Sequence, residues 1–432
     1  MSLTAAEALA RSAPPAVARQ DAVDPLAPFR QRFFLPGSRI YLDGNSLGAL
    51  PRETPERLQR VAREEWGEDL IASWNVHRWI HRPLEVGDKI GRLLGAAPGQ
   101  TAVADSISVN LFKALAGALE LRPGRKVILS EPASFPTDLY IAQGLLRLLN
   151  QSGQGRTGDE DYRLKTISRE EIPAFLETRG EDVAVLHLSH VDFRSGEILD
   201  LAGLTAAAHR AGALALWDLA HSAGVLPLAL DQDGADFAVG CGYKYLNGGP
   251  GSPAFLYVAE RHHQTFLQPL QGWLGHASPF DFDTEYRPAP GIARVLCGTP
   301  PILSLAALEV GIDLALEADL HLVREKSLAL GQLFEDLALQ LGARHGLESA
   351  SPPAPHRGSQ VSLRHPHAFP IVQALIHHGV TPDFREPDIL RFGFAPLYLS
   401  YHEVWAAAQV LGELLESGAW DREEFRVRGV VT

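Results

Sequence analysis

Short apolar runs separated by helical segments dominate the chain from about residue 100 onward. Four of them are bounded by Gly, Pro or polar residues: RKVILS (125–130), DVAVLHLSHV (182–191), GALALWD (212–218) and ADFAVGCG (235–242). Near-continuous apolar strands that alternate with helices are typical of a parallel sheet covered on both faces. SPAFLYVAE (252–260) predicts one further strand, and Pro253 favours an edge or strand-start position for it. The pattern predicts an α/β fold.

The two ends of the chain follow a different pattern. Residues 1–25 predict an Ala-rich helix and a Pro-containing link, and Glu53 to Leu70 has helical periodicity. Between them, RIYLDGNSLGALP predicts a strand that turns through Gly44-Asn45 and Gly48. After CGTPP come a long helix and a mixed region in which GSQVSLRHP and DILRFGFAPLY predict strands.

This change of pattern suggests a division into two domains. We expect a large domain at 61–300 and a small domain built from 1–60 and 301–432. The polar, Gly-rich stretch 151–166 predicts a flexible surface excursion within the large domain.

Composition narrows the class of protein. The chain has 432 residues, 46% of them hydrophobic and 21% charged, and a net charge of −13. An acidic surface argues against a nucleic-acid or anionic-membrane partner. Only Cys241 and Cys297 occur, which excludes a disulfide framework and fits a reducing compartment. We see no secretory signal and no membrane span, so we expect a cytoplasmic protein.

The first candidate for chemistry is WDLAHSAG. Asp218 ends an apolar run, where open α/β sheets place their ligand crevice, and a buried carboxylate there requires a partner. A protonated pyridine nitrogen would be such a partner, and His221 could hydrogen-bond the ring substituent or Asp218. The alternative is an Asp that caps the next helix.

The second candidate is DFAVGCGYKYLNGGPGS, about 26 residues further on. Lys244, between Tyr243 and Tyr245, follows a predicted buried strand, and the chain has only six lysines. Desolvation would lower the pKa of this amine and favour the neutral form that makes a Schiff base. A snorkelling surface lysine is the alternative. The spacing to Asp218 favours pyridoxal 5′-phosphate (PLP) chemistry.

Two further segments suggest how PLP would be held. Ser106 and Ser108 precede an apolar helix with Asn110 in its first turn, which would suit a phosphate, although a plain N-cap serine has the same pattern. ASFPTDLY follows the strand RKVILS and offers Phe135 to stack on a pyridine ring, with Thr137 and Asp138 beside it.

At these residues the sequence resembles kynureninase, a member of the fold-type I, aspartate-aminotransferase-like PLP enzymes. The resemblance covers about residues 41–398 through YLDGNSLG, DSISVNLF, FPTD, HVDFRSGEI, WDLAHSAG, GCGYKYLNGGPGS, QGWLGH, GTPP and RFGFAPLY. It implies a large domain with a mixed, mostly parallel sheet and a small C-terminal α+β domain. It also implies a homodimer with active sites at the interface.

Individual roles follow from the resemblance alone. Lys244, Asp218 and Tyr243 would be catalytic, and Arg391 would clamp the substrate carboxylate bidentately. Ser46 and His77 would lie near the aromatic end of the substrate, with His81 as a competitor for His77. The cofactor would contact Ile107, Ser108, Phe135, Pro136, Thr137, Asp138, Ser189, Asp218, His221, Tyr243, Lys244, Trp273 and Thr299.

The implied reaction is hydrolytic Cβ–Cγ cleavage of L-kynurenine, or of 3-hydroxykynurenine, to anthranilate or 3-hydroxyanthranilate and L-alanine. It belongs to tryptophan catabolism, the kynurenine pathway and NAD biosynthesis. Lys244 would move the Cα proton, and Tyr243, with a pKa lowered beside the phosphate, would act at the carbonyl. Thr299 in GTPP resembles bacterial members that favour kynurenine.

Other functions remain open. Aminotransferases and cysteine desulfurases share the fold, but neither Cys241 nor Cys297 lies where a mobile reactive thiol is expected. A non-catalytic PLP-fold metabolite sensor would lack the Tyr243 and Arg391 pair. The histidine pairs in RHHQ (261–264) and HHG (377–379) are adjacent, which does not suit a shared metal, and we expect no metal.

Overall fold

The structure is a computed structural model that describes residues 3–152 and 161–429. Its α-helices are α1 Ala5–Leu9, α2 Pro15–Ala22, α3 Thr54–Arg60, α4 Ser73–Val76, α5 Arg82–Leu93, α6 Ile107–Glu120, α7 Pro136–Ser152, α8 Ile172–Arg179, α9 Leu201–Arg210, α10 Ile302–Glu317, α11 Leu320–Gly342, α12 Ala368–His377 and α13 Tyr401–Ser417. A π-helix, Val61–Trp66, continues α3.

The strands are β1 Phe33–Phe34, β2 Ile40–Tyr41, β3 Leu50–Pro51, β4 Thr101–Val103, β5 Val127–Ser130, β6 Arg163–Thr166, β7 Val183–Ser189, β8 Leu214–Asp218, β9 Phe237–Cys241, β10 Ala254–Val258, β11 Glu348–Ser349, β12 Gln360–Arg364, β13 Val380–Thr381, β14 Asp383–Arg385 and β15 Ile389–Gly393. Short 3-10 helices are Ala27–Arg32, Leu70–Ala72, Arg169–Glu171, Gly180–Asp182, Glu260–His262, Trp273–Gly275, Gly291–Val295, Ala343–His345 and Glu423–Arg426.

A seven-stranded sheet in the order β4-β10-β9-β8-β7-β5-β6 forms the centre of the molecule. Strands β6, β5, β7, β8 and β9 are parallel, and β10 runs antiparallel to both of its neighbours. Side chains of β8 alternate between two cores, with Leu214 and Leu216 in one and Ala215 and Trp217 in the other. The predicted α/β fold with a mixed, mostly parallel sheet covered on both faces is confirmed.

The predicted strands differ from the observed sheet in three respects. Strand β10 lies between β9 and β4, so Pro253 marks a strand start and the edge position is wrong. The sequence pattern missed β4, which is short. It also missed β6, which ends the stretch taken as a flexible excursion; β6 is an edge strand with no buried residue, so it lacks an apolar run. Residues 153–160 of that stretch lie outside the described residues.

A smaller antiparallel sheet, β11-β12-β15-β14, contains both predicted C-terminal strands. Strand β2 joins this part of the molecule by pairing with β13, and Asp43 bridges to Gly393. One hydrophobic core contains Ile40 and Leu42 together with Phe392 and residues of α11 and α13. This shared core supports our proposal of a small domain built from both chain ends.

The large sheet positions the site. The carboxyl ends of β7, β8 and β9 lie side by side, with Ser189 opposite Asp218 and Asp218 opposite Val239. Parallel strands place a ligand crevice at this edge. Within residues 3–152 and 161–429, no helix is long and apolar enough to cross a membrane.

Candidate active site

A cavity of about 220 Å³ opens at the carboxyl edge of the sheet. It brings together ten of the residues expected around the cofactor: Ile107, Ser108, Phe135, Thr137, Asp138, Ser189, Asp218, His221, Tyr243 and Lys244. These residues are spread over more than 130 positions of the chain, and they meet because each follows a strand or starts a helix at the same sheet edge.

Lys244 lies three residues beyond the end of β9, in a loop rather than in the strand. Its Nζ is 3.2 Å from Nε2 of His221. Removal from water lowers the pKa of Lys244 and, more strongly, that of His221. The lowered pKa of Lys244 favours its neutral amine, the form that acts as a nucleophile, and the neighbouring His221 stays uncharged.

The turn through Gly44-Asn45 and Gly48 packs against this loop. The amide of Gly48 donates to the carbonyl of Tyr243 at 2.7 Å. A Cβ at Gly48 would lie 2.3 Å from the carbonyl oxygen of Lys244 and close to Asn247. Glycine is therefore required there for the close backbone approach.

Asp218 is buried at the end of β8, and its Oδ1 accepts a hydrogen bond from the amide of Ala220 at 2.7 Å. The residues that follow form turns rather than a helix, so the helix-capping alternative is wrong. Burial, and then the negative charge of Asp138, raises the pKa of Asp218 to about 7. A cation beside this buried carboxyl group would favour its ionised form.

Tyr243 and Cys241 share one wall of the cavity. Burial raises the pKa of both side chains. The expected lowered pKa of Tyr243 is therefore wrong, and a nearby phosphate would raise this pKa further, because an anion disfavours the phenolate. Cys241 is a buried strand residue with a disfavoured thiolate, unlike a reactive thiol.

The serine-containing segment forms the start of α6. Ser106 is the N-cap, and its Oγ accepts from the amide of Val109 at 3.4 Å. Helix α6 begins at Ile107, so Ser108 lies in the first turn rather than before the helix. Asn110 points away from the cavity and donates to the carbonyl of Ala104 at 2.9 Å. The free amides of this helix start suit a phosphate.

The segment at the start of α7, which begins at Pro136, contributes Phe135, Thr137 and Asp138 to the cavity lining. Phe135 is 42% exposed and packs edge-to-face on Phe193, with ring centroids 5.2 Å apart. The hydroxyl of Ser189 is buried and makes no hydrogen bond, and the buried carboxylate of Asp138 makes none either, although its Oδ2 lies 3.5 Å from Nε2 of His187. Buried polar atoms without partners in a cavity indicate a ligand with complementary groups.

Arg391 lies behind the cavity wall and donates from Nη1 to the carbonyl of Phe193 at 2.7 Å. Its Nε donates to Oδ1 of Asp383 at 2.8 Å, and its Nη2 to Oδ2 of Asp383 and to Oγ of Ser46. Ser46 therefore lies beside the predicted carboxylate anchor. Sequence analysis missed Asp383. Its position two residues before Arg385 could have indicated that both side chains lie on one face of a strand.

Besides Ser46, Pro136 and Arg391, three further predicted residues do not line this cavity. Trp273 borders a separate aromatic cleft of about 610 Å³ with Phe280, and Thr299 is exposed. Nε2 of His77 lies 2.7 Å from Oδ2 of Asp69. The rings of Trp273 and Trp74 are 6.5 Å apart, so Trp273 lies near the helix that precedes His77.

Other groups line the cavity without having been predicted: Val191, Phe193, Ala220, Cys241, Ser252 and Ala254. Most are apolar residues that no chemical motif distinguishes. The histidines of RHHQ make contacts within the fold, because Nε2 of His262 lies 2.6 Å from Oδ1 of Asp236 and Nε2 of His263 lies 2.9 Å from the carbonyl oxygen of Val258. In the part of the chain that is described, no group of three potential ligands could hold a metal ion.

The cavity fits PLP by its chemistry. Asp218 suits a pyridinium nitrogen, Lys244 an aldehyde, and the start of α6 a phosphate. The Ser189 hydroxyl, which has no hydrogen-bond partner, and the Asp138 carboxylate supply further polar contacts. The fold and this site define a PLP-dependent enzyme of fold type I.

Comparison with known proteins narrows this class. A family model for the kynureninase C-terminal domain matches residues 323–411. Kynureninase from Burkholderia pseudomallei strain 1106a is 49% identical over 418 residues, covering 95% of this chain and 98% of that protein. Kynureninase from Pseudomonas fluorescens is 48% identical over the same shares. The chain belongs to the kynureninase family.

Solved structures confirm the fold. The apo cysteine desulfurase from Thermococcus onnurineus NA1 has a TM-score of 0.74 at 19% identity and covers 90% of this chain and 98% of its own. A C-DES variant with glycine covalently linked to its PLP cofactor has a TM-score of 0.73 at 19% identity, covering 88% and 98%.

Proposed function

We propose that the chain cleaves the Cβ–Cγ bond of L-kynurenine with water and releases anthranilate and L-alanine. The observation that carries this proposal is the placement of Lys244 and Asp218 at one cavity in a chain 49% identical to kynureninase. Lys244 and Asp218 would hold PLP at its aldehyde and its ring nitrogen. When bound, PLP supplies an electron sink for negative charge that develops at the substrate Cα.

Lys244 moves the proton at the substrate Cα. Its pKa, lowered by removal from water, favours the neutral amine, the form that a base requires. His221, 3.2 Å from Nζ and itself neutral, accepts or donates a hydrogen bond without adding charge. The pair can therefore hold a proton at Nζ between removal and return.

Tyr243 serves the substrate carbonyl at Cγ. Its raised pKa keeps the phenol protonated at neutral pH, so it donates to the carbonyl oxygen as water adds. The thiol of its neighbour Cys241 is also uncharged, because burial raises its pKa. Tyr243 is therefore the proton donor beside Lys244 in the cavity lining.

Arg391 binds the substrate carboxylate from behind the cavity wall. Four hydrogen bonds occupy its guanidinium, which has five N–H donors, so a bidentate clamp requires that Ser46 give up one of them. The hydroxyl of Ser46 also donates to Asp383 at 2.8 Å and can keep that bond.

Thr299 supports a preference for kynurenine over 3-hydroxykynurenine.

A desulfurase is the strongest competitor, since solved desulfurases share the fold. Desulfuration needs a reactive cysteine on a mobile segment. Cys241 is buried in β9, and Sγ of Cys297 donates to the carbonyl of Leu270 at 2.8 Å. An aminotransferase would use the same lysine and arginine, and the product distinguishes it.

The protein acts as a homodimer in the cytoplasm, with neither nucleic acid nor membrane as partner. Trp273, Thr299 and His77 lie outside their own protomer's cavity, and Trp273 and Phe280 present exposed aromatic surface. We place these residues at the cavity of the partner subunit.

The test is incubation of the holoenzyme with L-kynurenine and, separately, with 3-hydroxykynurenine. We expect fluorescent anthranilate and L-alanine in equal amounts without an added keto acid, and faster turnover of L-kynurenine. Cleavage of neither substrate, or a strict requirement for a keto acid, would overturn the proposal.

A further inference from the structure

Asp383 and Arg391 form a cross-strand pair in the small sheet. Strands β14 and β15 are antiparallel, with Asp383 directly opposite Arg391. Such partners project from the same face and interact directly. Their side chains are 3% and 1% exposed, so the ion pair is almost completely buried.

The ion pair between Asp383 and Arg391 determines which edge of the Arg391 guanidinium remains available for another anion. Both oxygens of Asp383 accept from Nε and Nη2 of Arg391. This leaves the Nη1 and Nη2 edge, which contacts the carbonyl of Phe193 and Oγ of Ser46. Phe193 lines the cavity, so the available edge is the one on the cavity side.

Arg385 completes the charge of this cluster. It is two residues from Asp383 on the same strand, and its Nη2 donates to Oδ2 of Asp383 at 2.7 Å. Its Nε is buried and has no hydrogen-bond partner. Asp43 lies nearby, and burial and then the charge of Asp383 raise its pKa to about 7. Two guanidinium groups therefore face the carboxyls of Asp383 and Asp43, and the raised pKa of Asp43 favours its neutral form, so the cluster favours an added anion.

We propose that Asp383 is a positioning residue that fixes Arg391 so that its Nη1 and Nη2 edge meets the substrate α-carboxylate, with Arg385 supplying the matching charge. This inference rests on the proposed function, in which Arg391 binds that carboxylate. A single-carboxylate amino acid restores the charge balance of the cluster. Asp383 contacts neither the reacting atoms nor the cofactor cavity.

The test compares L-kynurenine with kynuramine, its analogue without the carboxylate, on wild-type and Asp383→Asn holoenzyme. Binding is followed by the cofactor absorbance and turnover by anthranilate release. We expect Asp383→Asn to weaken L-kynurenine binding about 10- to 100-fold, because a shifted guanidinium meets the carboxylate poorly. Kynuramine binding should stay at the wild-type value, and KM should change more than kcat.

Asp388→Asn is the matched control, because Asp388 belongs to the same hairpin and pairs with the exposed Arg364. It should leave both ligands unaffected. Equal weakening of L-kynurenine and kynuramine by Asp383→Asn would show a merely structural role and overturn the proposal, as would no weakening of either. If the wild type binds L-kynurenine without cleaving it, the proposed function fails, while the two titrations still decide the role of Asp383.

Discussion

Burial controls the chemistry of individual side chains at this site. Asp218 and Lys244 both lie at the sheet edge, and removal from water shifts their pKa values toward the neutral forms. These shifts oppose ionisation of both groups. A bound pyridinium would reverse the effect at Asp218, because an adjacent cation favours the carboxylate. The same burial keeps the Tyr243 phenol protonated, which makes it a donor.

Tyr243→Phe should lower kcat for L-kynurenine by about 10²- to 10⁴-fold, the usual contribution of one general acid or base. The cofactor spectrum should remain that of the wild type, since Lys244 and Asp218 are unchanged. Steady-state kinetics together with absorbance measure both.

Tyr245→Phe is the control for this substitution. Its hydroxyl donates to the carbonyl of Ser359 at 2.9 Å, away from the cavity, so the change should cost stability of about 1 kcal/mol and little turnover. Full activity of Tyr243→Phe would remove this residue from the mechanism.

At the scale of elements, the turn between β2 and β3 supports the lysine loop. Gly48 donates its amide to Tyr243 and lies under the carbonyl of Lys244. This turn comes from the N-terminal part of the chain, whose strand β2 pairs with β13. The lysine is therefore positioned by both ends of the chain as well as by the large sheet.

Gly48→Ala should destabilise the protein by about 1–3 kcal/mol, because a Cβ would overlap backbone atoms that cannot move independently. We also expect weaker retention of PLP, since the displaced segment contains Lys244. Thermal unfolding and cofactor release on dialysis are the measurements.

Gly37→Ala provides the comparison, because a Cβ at Gly37 meets no atom within 4 Å. It should change neither melting temperature nor cofactor retention. If Gly48→Ala behaves like Gly37→Ala, the turn does not support the lysine loop.

At the scale of the whole molecule, the cavity lacks several of the residues expected to contact the cofactor or the substrate. Trp273, Thr299 and His77 lie elsewhere on the surface, and several exposed aromatic side chains, including Phe280 and Phe282, surround Trp273. Exposed apolar patches of this kind are typical of interfaces. The proposed dimer would bring them to the partner's site.

Complementation tests this arrangement. Lys244→Ala and Trp273→Ala should each have little activity alone, whereas heterodimers isolated with two different tags should regain activity, because one cavity then carries neither change. Heterodimers of Lys244→Ala with Asp218→Asn should stay inactive, since both changes affect a protomer's own cavity. Absence of any gain in the first pair would place Trp273 in its own protomer's site.

The sequence by itself determined the fold class and predicted that Asp218 and Lys244 share a site, and the two residues do line one cavity. Apolar runs predicted five strands of the large sheet, and Asp218 and Lys244 were recognisable because each comes just after such a run. Whether a residue lies in a strand depends largely on the apolar pattern of its sequence neighbours, so this property is encoded locally. Parallel strands then bring their carboxyl ends to the same edge without further information.

Tertiary structure alone decided the surroundings of Arg391 and the places of Trp273, Thr299 and His77. The pairing of β14 with β15 places Asp383 opposite Arg391. Ser46, which lies 337 positions before Asp383 in the chain, donates a hydrogen bond to the same carboxylate. The edge strand β6 was likewise missed, because half-exposed strands have no apolar run. These features depend on which distant segments meet, and hydrophobic periodicity carries no record of such contacts.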